Sequence, residues 1–332
     1  MIKVYALVLL TLLSGPICRA DAHTSDHHVD IPQGTSNNQD AQCEQPKDSF
    51  IDIDKTQLHY VEAGSGPVIV MIHGNAGSVE DFDFKSLGQL CSAHRVIAFD
   101  RPGHGKSERP DESDATLQHQ TQLLHEALVH LGITRPVLVG HSWGGSLALA
   151  YALKYPNELS AIVLLAPAAY SDGGSDQFMR AILKTPVIGD VTLTVGRVFF
   201  GKHLLKKELE KAFYPEDVPD EYLRQASSSW LKHKQARAIL EDEYSLDKDL
   251  EKISKHYSDI HIPVVIVTGD QDKVVSAKDN AYRLKTLMAQ SQLIELKNTG
   301  HEVPQTHPES IYHAVTLISN SSGEQRSSGH SI

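Results

Sequence analysis

The amino-acid sequence predicts an α/β fold: a mostly parallel sheet flanked by helices, with a helical cap inserted between two of its strands. Three observations carry the prediction. Short apolar runs alternate with stretches of helical periodicity. Several of those runs, such as PVIVMIHG and AIVLLAP, are apolar almost throughout, as strands covered on both faces must be. The alternation then stops between Ala169 and about Ile260, where helical patterns continue without a strand. The 332 residues, 40% hydrophobic and 22% charged, suffice for one large core or two modest ones.

Residues 1–20, MIKVYALVLLTLLSGPICRA, pair an early lysine with an apolar run from Val4 to Leu13, a helix-breaking Ser-Gly-Pro and a small-residue exit. That is the pattern of a secretory signal peptide, too short to span a bilayer comfortably, so the expectation is a secreted or periplasmic protein with no stable membrane span after processing. Residues 21–48 are rich in Ser, Asn, Asp and Gln and lack apolar periodicity, which predicts a flexible lead-in. Removing the signal leaves Cys43 and Cys91, an even pair in a compartment that permits disulfides. A bridge between them and two separate thiols are both compatible with the sequence. Processing after Ala20 would expose Asp21-Ala22-His23, whose amine, amides and imidazole are the donors of a square-planar copper(II) or nickel(II) site. The plainer reading is a solvated polar tail, and no metal site is assigned.

The core is expected over residues 49–168 and 261–318. FIDIDKTQLHYVEAG alternates as a hairpin does, and PVIVMIHG follows as a buried strand. Periodicity then predicts a helix from about Val79 to Leu90, the strand RVIAFD, a helix from Thr116 to Leu131, the strand PVLVG and a helix from Ser142 to Tyr155. The strands LSAIVLLAP, PVVIVTG and QLIELKN complete the sheet. Residues 169–260 form the predicted cap. Its apolar section, TPVIGDVTLTVGRVFFG, is interrupted by Asp190 and Arg197 and is no membrane span. The apolar Val198, Phe199 and Phe200 suggest a substrate with a hydrophobic part, although packing within the cap is the commoner use of such residues. Residues 319–332, SNSSGEQRSSGHSI, read as a flexible tail.

The chemistry concentrates where PVLVG runs into GHSWGG. A strand that turns directly into a helix forces the residue at the bend toward positive φ, which is costly for any side chain. Placing Ser142 there stores strain, and the glycines two residues away, Gly140 and Gly144, relieve crowding. The hydroxyl then stands beyond the strand end, and the N-terminal amides of the new helix, that of Trp143 included, face any negative charge that forms beside it. A serine hydroxyl needs a base, and the base needs an acid to hold its tautomer. VTGDQDKVV supplies Asp270 and Asp272 just past one strand, and NTGHEVPQTHPE supplies His301 just past another. All three elements sit at carboxyl ends of strands, where open α/β sheets bind ligands.

These motifs resemble those of the α/β-hydrolase-fold family, over roughly residues 50–318. GHSWGG matches its nucleophile elbow, HGNAGS at His73–Ser78 resembles its oxyanion loop, and FDRPGHGKS at Phe99–Ser107 resembles the turn after the next strand. The resemblance implies Ser142 as nucleophile, His301 as base and Asp272 as acid. Asp272 is preferred to Asp270 because the family's acid commonly follows three residues after the glycine, here Gly269. It further implies an oxyanion hole from the backbone amides of Asn75 and Trp143, no cofactor, and cleavage of an ester-like bond, with thioester, amide or carbon–carbon bonds also open. His73 and Asp100 are expected to hold turns, while His104 and His141 stay unassigned. Two other readings are a cofactor-free peroxidase-like activity and a ligand-binding protein on the same fold. The net charge of −11, without a basic block, excludes a nucleic-acid partner and leaves a small-molecule substrate.

Overall fold

The computed structural model describes Cys43, residues 45–173, Thr185 and residues 188–328. The expected signal peptide, the Asp21-Ala22-His23 stretch that its removal would expose and almost all of the expected lead-in lie outside the described residues. Eight strands form one sheet: β1 (Lys47–Ile53), β2 (Thr56–Ala63), β3 (Val68–Ile72), β4 (Arg95–Phe99), β5 (Val137–His141), β6 (Ala161–Leu165), β7 (Val264–Gly269) and β8 (Gln292–Leu296). Their spatial order is β1-β2-β4-β3-β5-β6-β7-β8. The first hairpin is antiparallel and β2 runs antiparallel to β4, whereas every later pair is parallel. The carboxyl ends of β3 to β8 therefore share one edge of the sheet.

The apolar runs become the central strands because both their faces are covered. Ile69, Val70, Leu138, Val139, Ile162 to Leu165 and Val265 to Val267 are almost wholly buried, and the two faces feed two separate hydrophobic cores. On one face lie α2 (Leu117–His130), started by the Thr116 hydroxyl accepting from the His119 amide, and α3 (Trp143–Lys154). On the other lie α1 (Gly88–Ala93) and α9 (Glu309–Ser328). Two shorter helices, α7 (Arg283–Leu287) and α8 (Val303–Thr306), follow β7 and β8.

Three local expectations are revised. The continuous helix expected from Val79 to Leu90 is instead a 3-10 turn at Val79–Asp81 followed by α1. Asp83 sits in the gap, where its carboxylate accepts from the Lys85 amide at 3.0 Å and the Ser86 hydroxyl at 2.6 Å, a local alternative to helical bonding. At the other end, α9 continues through Ser319 to Ser328, into the stretch whose composition suggested a loop. Propagating a helix already anchored by its buried first turns, at Ile311, Ala314 and Val315, is easy compared with nucleating one. The end of the lead-in is likewise structured: Lys47 and Asp48 belong to β1, and Cys43 forms a disulfide with Cys91, their Cα atoms 5.4 Å apart.

That disulfide resolves the open question about the two cysteines. It closes a loop across a sequence separation of 48 residues and ties the segment before β1 to α1. The loop-entropy relation assigns such a closure up to about 4 kcal/mol. Cys43→Ser is thus expected to lower Tm by several degrees in differential scanning calorimetry, and an unchanged Tm would show that the bridge adds nothing to the folded chain.

The cap is helical among the described residues. Between β6 and β7 lie α4 (Ile188–Phe213), α5 (Asp220–Ser229) and α6 (His233–Ile253). Leu205, Leu209, Phe213, Tyr222 and Ala226 form the cap's own small core. Val198, Phe199 and Phe200 do not belong to that core and are exposed, Phe199 with 74% of its surface.

Candidate active site

Ser142 stands at the junction of β5 and α3 with φ 50° and ψ −113°, the strained bend expected of it. The glycines beside it are sterically obligatory. A Cβ on Gly140 would lie 2.2 Å from the Gly144 carbonyl oxygen, and one on Gly144 would lie 2.3 Å from that of Ile72 at the end of β3. Without side chains at those positions, α3 can start against the neighbouring strand end, and its first amides stay available, since the first turn of a helix has no internal acceptors for them. The Ser142 amide itself donates to the Leu165 carbonyl at 2.9 Å, tying the bend to β6.

His301 follows β8, and its Nδ1 lies 2.6 Å from Asp272 Oδ2, in the loop after β7. The other Asp272 oxygen accepts from the amides of Val274 at 2.7 Å and Val275 at 2.8 Å, which fixes the carboxylate's orientation. Burial opposes the charged form of His301, but the Asp272 carboxylate and its hydrogen bond outweigh it and raise the pKa above the ordinary histidine value. Asp270 does not reach His301. Its amide is bound to the Leu296 carbonyl, Oδ2 is 3.9 Å from Lys297 Nζ, and the buried Oδ1 has no hydrogen-bond partner. The cap also holds the histidine loop: the His301 amide donates to the Ala212 carbonyl at 2.8 Å, near the end of α4. Gly300 permits that approach, since a Cβ there would lie 2.1 Å from the Tyr214 carbonyl oxygen.

Ser142 and His301 line a common pocket, partly open to solvent, together with Gly74, Asn75 and Ala76. Its apolar wall includes Ala212, Trp230, Ile239, Leu240 and Val274, most of them from the cap. The side chain of Asn75 is turned into the cap, where its Nδ2 donates to the Ile239 carbonyl and to Glu243 Oε2, each at 3.1 Å. That anchors the loop after β3 opposite the start of α3. The Trp143 ring is buried beneath α6, with the Arg101 guanidinium 4.0 Å above its centre.

The histidines left open by the sequence acquire defined settings. His73 Nδ1 donates to the Gly74 carbonyl at 2.7 Å and its Nε2 accepts from the Arg101 amide at 2.9 Å, so the neutral ring is a brace for the loop. Burial, reinforced by the Arg101 charge, holds its pKa well below the usual value. His141 donates from Nε2 to the His301 carbonyl at 3.0 Å, and burial together with the neighbouring His301 holds it down to about 3. It is therefore neutral at ordinary pH. His104 is buried near Arg101 and Asp242, with Nδ1 on the Pro102 carbonyl. Asp100 braces turns, accepting from the amides of Val79 and Lys106, both at 2.8 Å, and contacting His59 Nδ1 at 2.7 Å.

One group around the site has no signature in the sequence. Arg101 donates to the Gly74 carbonyl at 3.0 Å and forms a buried ion pair with Asp242 of α6, which also pairs with Arg109. Their proximity is a product of tertiary folding across about 140 residues, and no local pattern marks it.

A family profile describing the alpha/beta hydrolase fold matches residues 67–308, and the chain belongs to that family. It is 28% identical over 262 residues to the uncharacterized hydrolase YugF of Bacillus subtilis, covering 76% of this chain and 89% of that protein. It is 26% identical over 254 residues to Lipase 1 of Psychrobacter immobilis, covering 74% and 75%. Among solved structures, an alpha/beta hydrolase fold protein from Burkholderia ambifaria superposes with a TM-score of 0.70 at 23% identity, over 80% of this chain and 96% of that one. That last likeness speaks to the fold alone.

Proposed function

We propose that this chain is an exported serine hydrolase that cleaves an ester-like bond through an acyl-serine intermediate. The observation that carries the reading is the buried Asp272–His301 pair at 2.6 Å, lining with Ser142 one pocket at the carboxyl edge of the sheet. Lipase 1 among its relatives supports an ester as the bond, and the apolar wall supports a substrate with a hydrophobic part. The signal-like residues 1–20 support export.

In this mechanism Asp272 holds the His301 proton on Nδ1 and leaves Nε2 as the base. As Ser142 Oγ bonds to the carbonyl carbon, its proton passes to His301 Nε2, and the carbonyl oxygen takes the negative charge. The backbone amides of Asn75 and Trp143 receive that oxyanion, at about 3 kcal/mol per donor. The imidazolium then gives its proton to the departing alcohol oxygen as the carbon–oxygen bond breaks. Water repeats the sequence on the acyl-serine: its proton goes to His301, its oxygen bonds to the acyl carbon, and Ser142 recovers a proton as the acid leaves.

Wild-type protein is expected to hydrolyse short-chain p-nitrophenyl esters and to be labelled at Ser142 by a fluorophosphonate probe. Ser142→Ala should lose labelling and about 10^6 in kcat. Folded wild-type protein that neither turns over nor labels would point instead to a ligand-binding role on this fold.

A further inference from the structure

Glu302 directly follows His301, yet no step of the proposed chemistry uses it. Its carboxyl is buried, lines the pocket, and leaves Oε2 without a hydrogen-bond partner. Asp81, 4% exposed, lines the same pocket from the turn after the Asn75 loop, and accepts from the Tyr222 hydroxyl at 3.1 Å. Burial pushes both carboxyls above the usual carboxylate range, and repulsion from Glu302 adds to it at Asp81, which lies far above. The other carboxyl groups on the pocket wall, Glu208 and Glu243, are also acidic, and no lysine or arginine is found among the described lining residues.

A buried carboxyl oxygen without a partner is costly, and the chain keeps one on Glu302 beside its candidate reacting centre, with a second buried carboxyl, Asp81, held by the Tyr222 hydroxyl and a backbone contact to Ser78 on the same wall. An ammonium group meets them on every count. Its N–H bonds satisfy Glu302 Oε2 and the free acceptor capacity of Asp81, and its charge offsets the repulsion between the carboxylates that re-form around it. The rings of Tyr222 and Trp230 in the same wall favour a cation further. An anionic ligand meets only repulsion, and a neutral alcohol supplies one hydrogen bond and no charge.

We infer that Asp81, Tyr222 and Glu302 form a recognition subsite for a protonated amine, so that the preferred substrates are esters or amides carrying an alkylammonium group. This rests on the serine-hydrolase reading of the same pocket, but the test does not depend on turnover. Binding of n-hexylammonium, hexan-1-ol and hexanoate to the full-length protein is measured by titration calorimetry at neutral pH. The ammonium is expected to bind at least about tenfold more tightly than the alcohol, a difference of about 1.4 kcal/mol, and hexanoate more weakly than either. Glu302→Gln and Asp81→Asn, each checked for native circular dichroism, should bring ammonium and alcohol to within about twofold of each other. Equal binding of ammonium and alcohol by the wild type overturns the inference, whatever the fluorophosphonate result. So does a preference that survives in either folded variant. Failure of labelling with the ammonium preference intact would instead remove the hydrolase reading and leave the subsite standing.

Discussion

Asp272→Asn is expected to lower kcat for a p-nitrophenyl ester by about 10^4, with little change in stability, whereas Asp270→Asn should remain within about threefold of wild type. The asymmetry follows from geometry. Asp272 presents one oxygen to His301 Nδ1 and the other to two backbone amides, so an amide at this position offers its NH2 group where an acceptor is needed and turns the ring toward the wrong tautomer. Asp270 has no hydrogen bond or ion pair to His301 or Ser142 and instead pairs with Lys297 at 3.9 Å. The pH profile supplies a second readout. A base must be neutral to act, and in the wild type Asp272 raises the His301 pKa against the burial that would lower it. The acid limb of kcat/KM should therefore lie above about 6.5 in the wild type. Without the carboxylate, burial and the field of Lys211 prevail, so the limb of Asp272→Asn should move to lower pH. If Asp270→Asn carried the loss instead, the assignment of the acid would be wrong.

Local patterns in the sequence mark the segments that carry the candidate triad, although they offer Asp270 and Asp272 alike, and only the family resemblance prefers Asp272. β5 and β7 are short apolar runs, β8 is a shorter mixed one, all three have glycine-containing exits, and each is followed at the same edge by one member of the proposed triad. Register within a parallel sheet then brings them together regardless of the chain between them. The environment of the pocket obeys no such local rule. Asp81 meets Tyr222 across 141 residues and Asn75 meets Glu243 across 168, and in both cases a core loop is paired with a cap helix whose placement no periodicity encodes. The outward-facing Val198 and Phe199 show the same limit from the other side: apolar composition suggests contact, and the helix α4 turns those residues to solvent. The break at Asp83 escapes periodicity for a smaller reason, one side chain outcompeting the helical pattern around it.

Asp242→Ala is expected to lower Tm on the order of 10 °C, from about 3–5 kcal/mol of lost stability. The carboxylate is fully buried and is shared by Arg101 and Arg109, whose side chains are 1% and 4% exposed. Truncating it leaves the Arg101 guanidinium without its buried counter-ion in a low-dielectric setting and Arg109 with Glu241 as its remaining ion pair, and burial already pulls the Arg101 pKa below its usual value. The same substitution removes two of the ion pairs that tie α6 to the segment after β4, and loosens the cap wall that carries Ile239, Leu240 and Glu243. An apolar replacement of the whole set separates the two effects. Arg101→Met, Arg109→Met and Asp242→Leu combined should recover most of the lost Tm, because matched apolar side chains carry no desolvation cost. Ester turnover should nevertheless remain depressed, since the Gly74 carbonyl would still lack the Arg101 donor that steadies the loop of Asn75. Activity returning in step with Tm would mean that Arg101 contributes packing and charge balance alone; a Tm restored without kcat identifies it as a residue that positions the oxyanion loop.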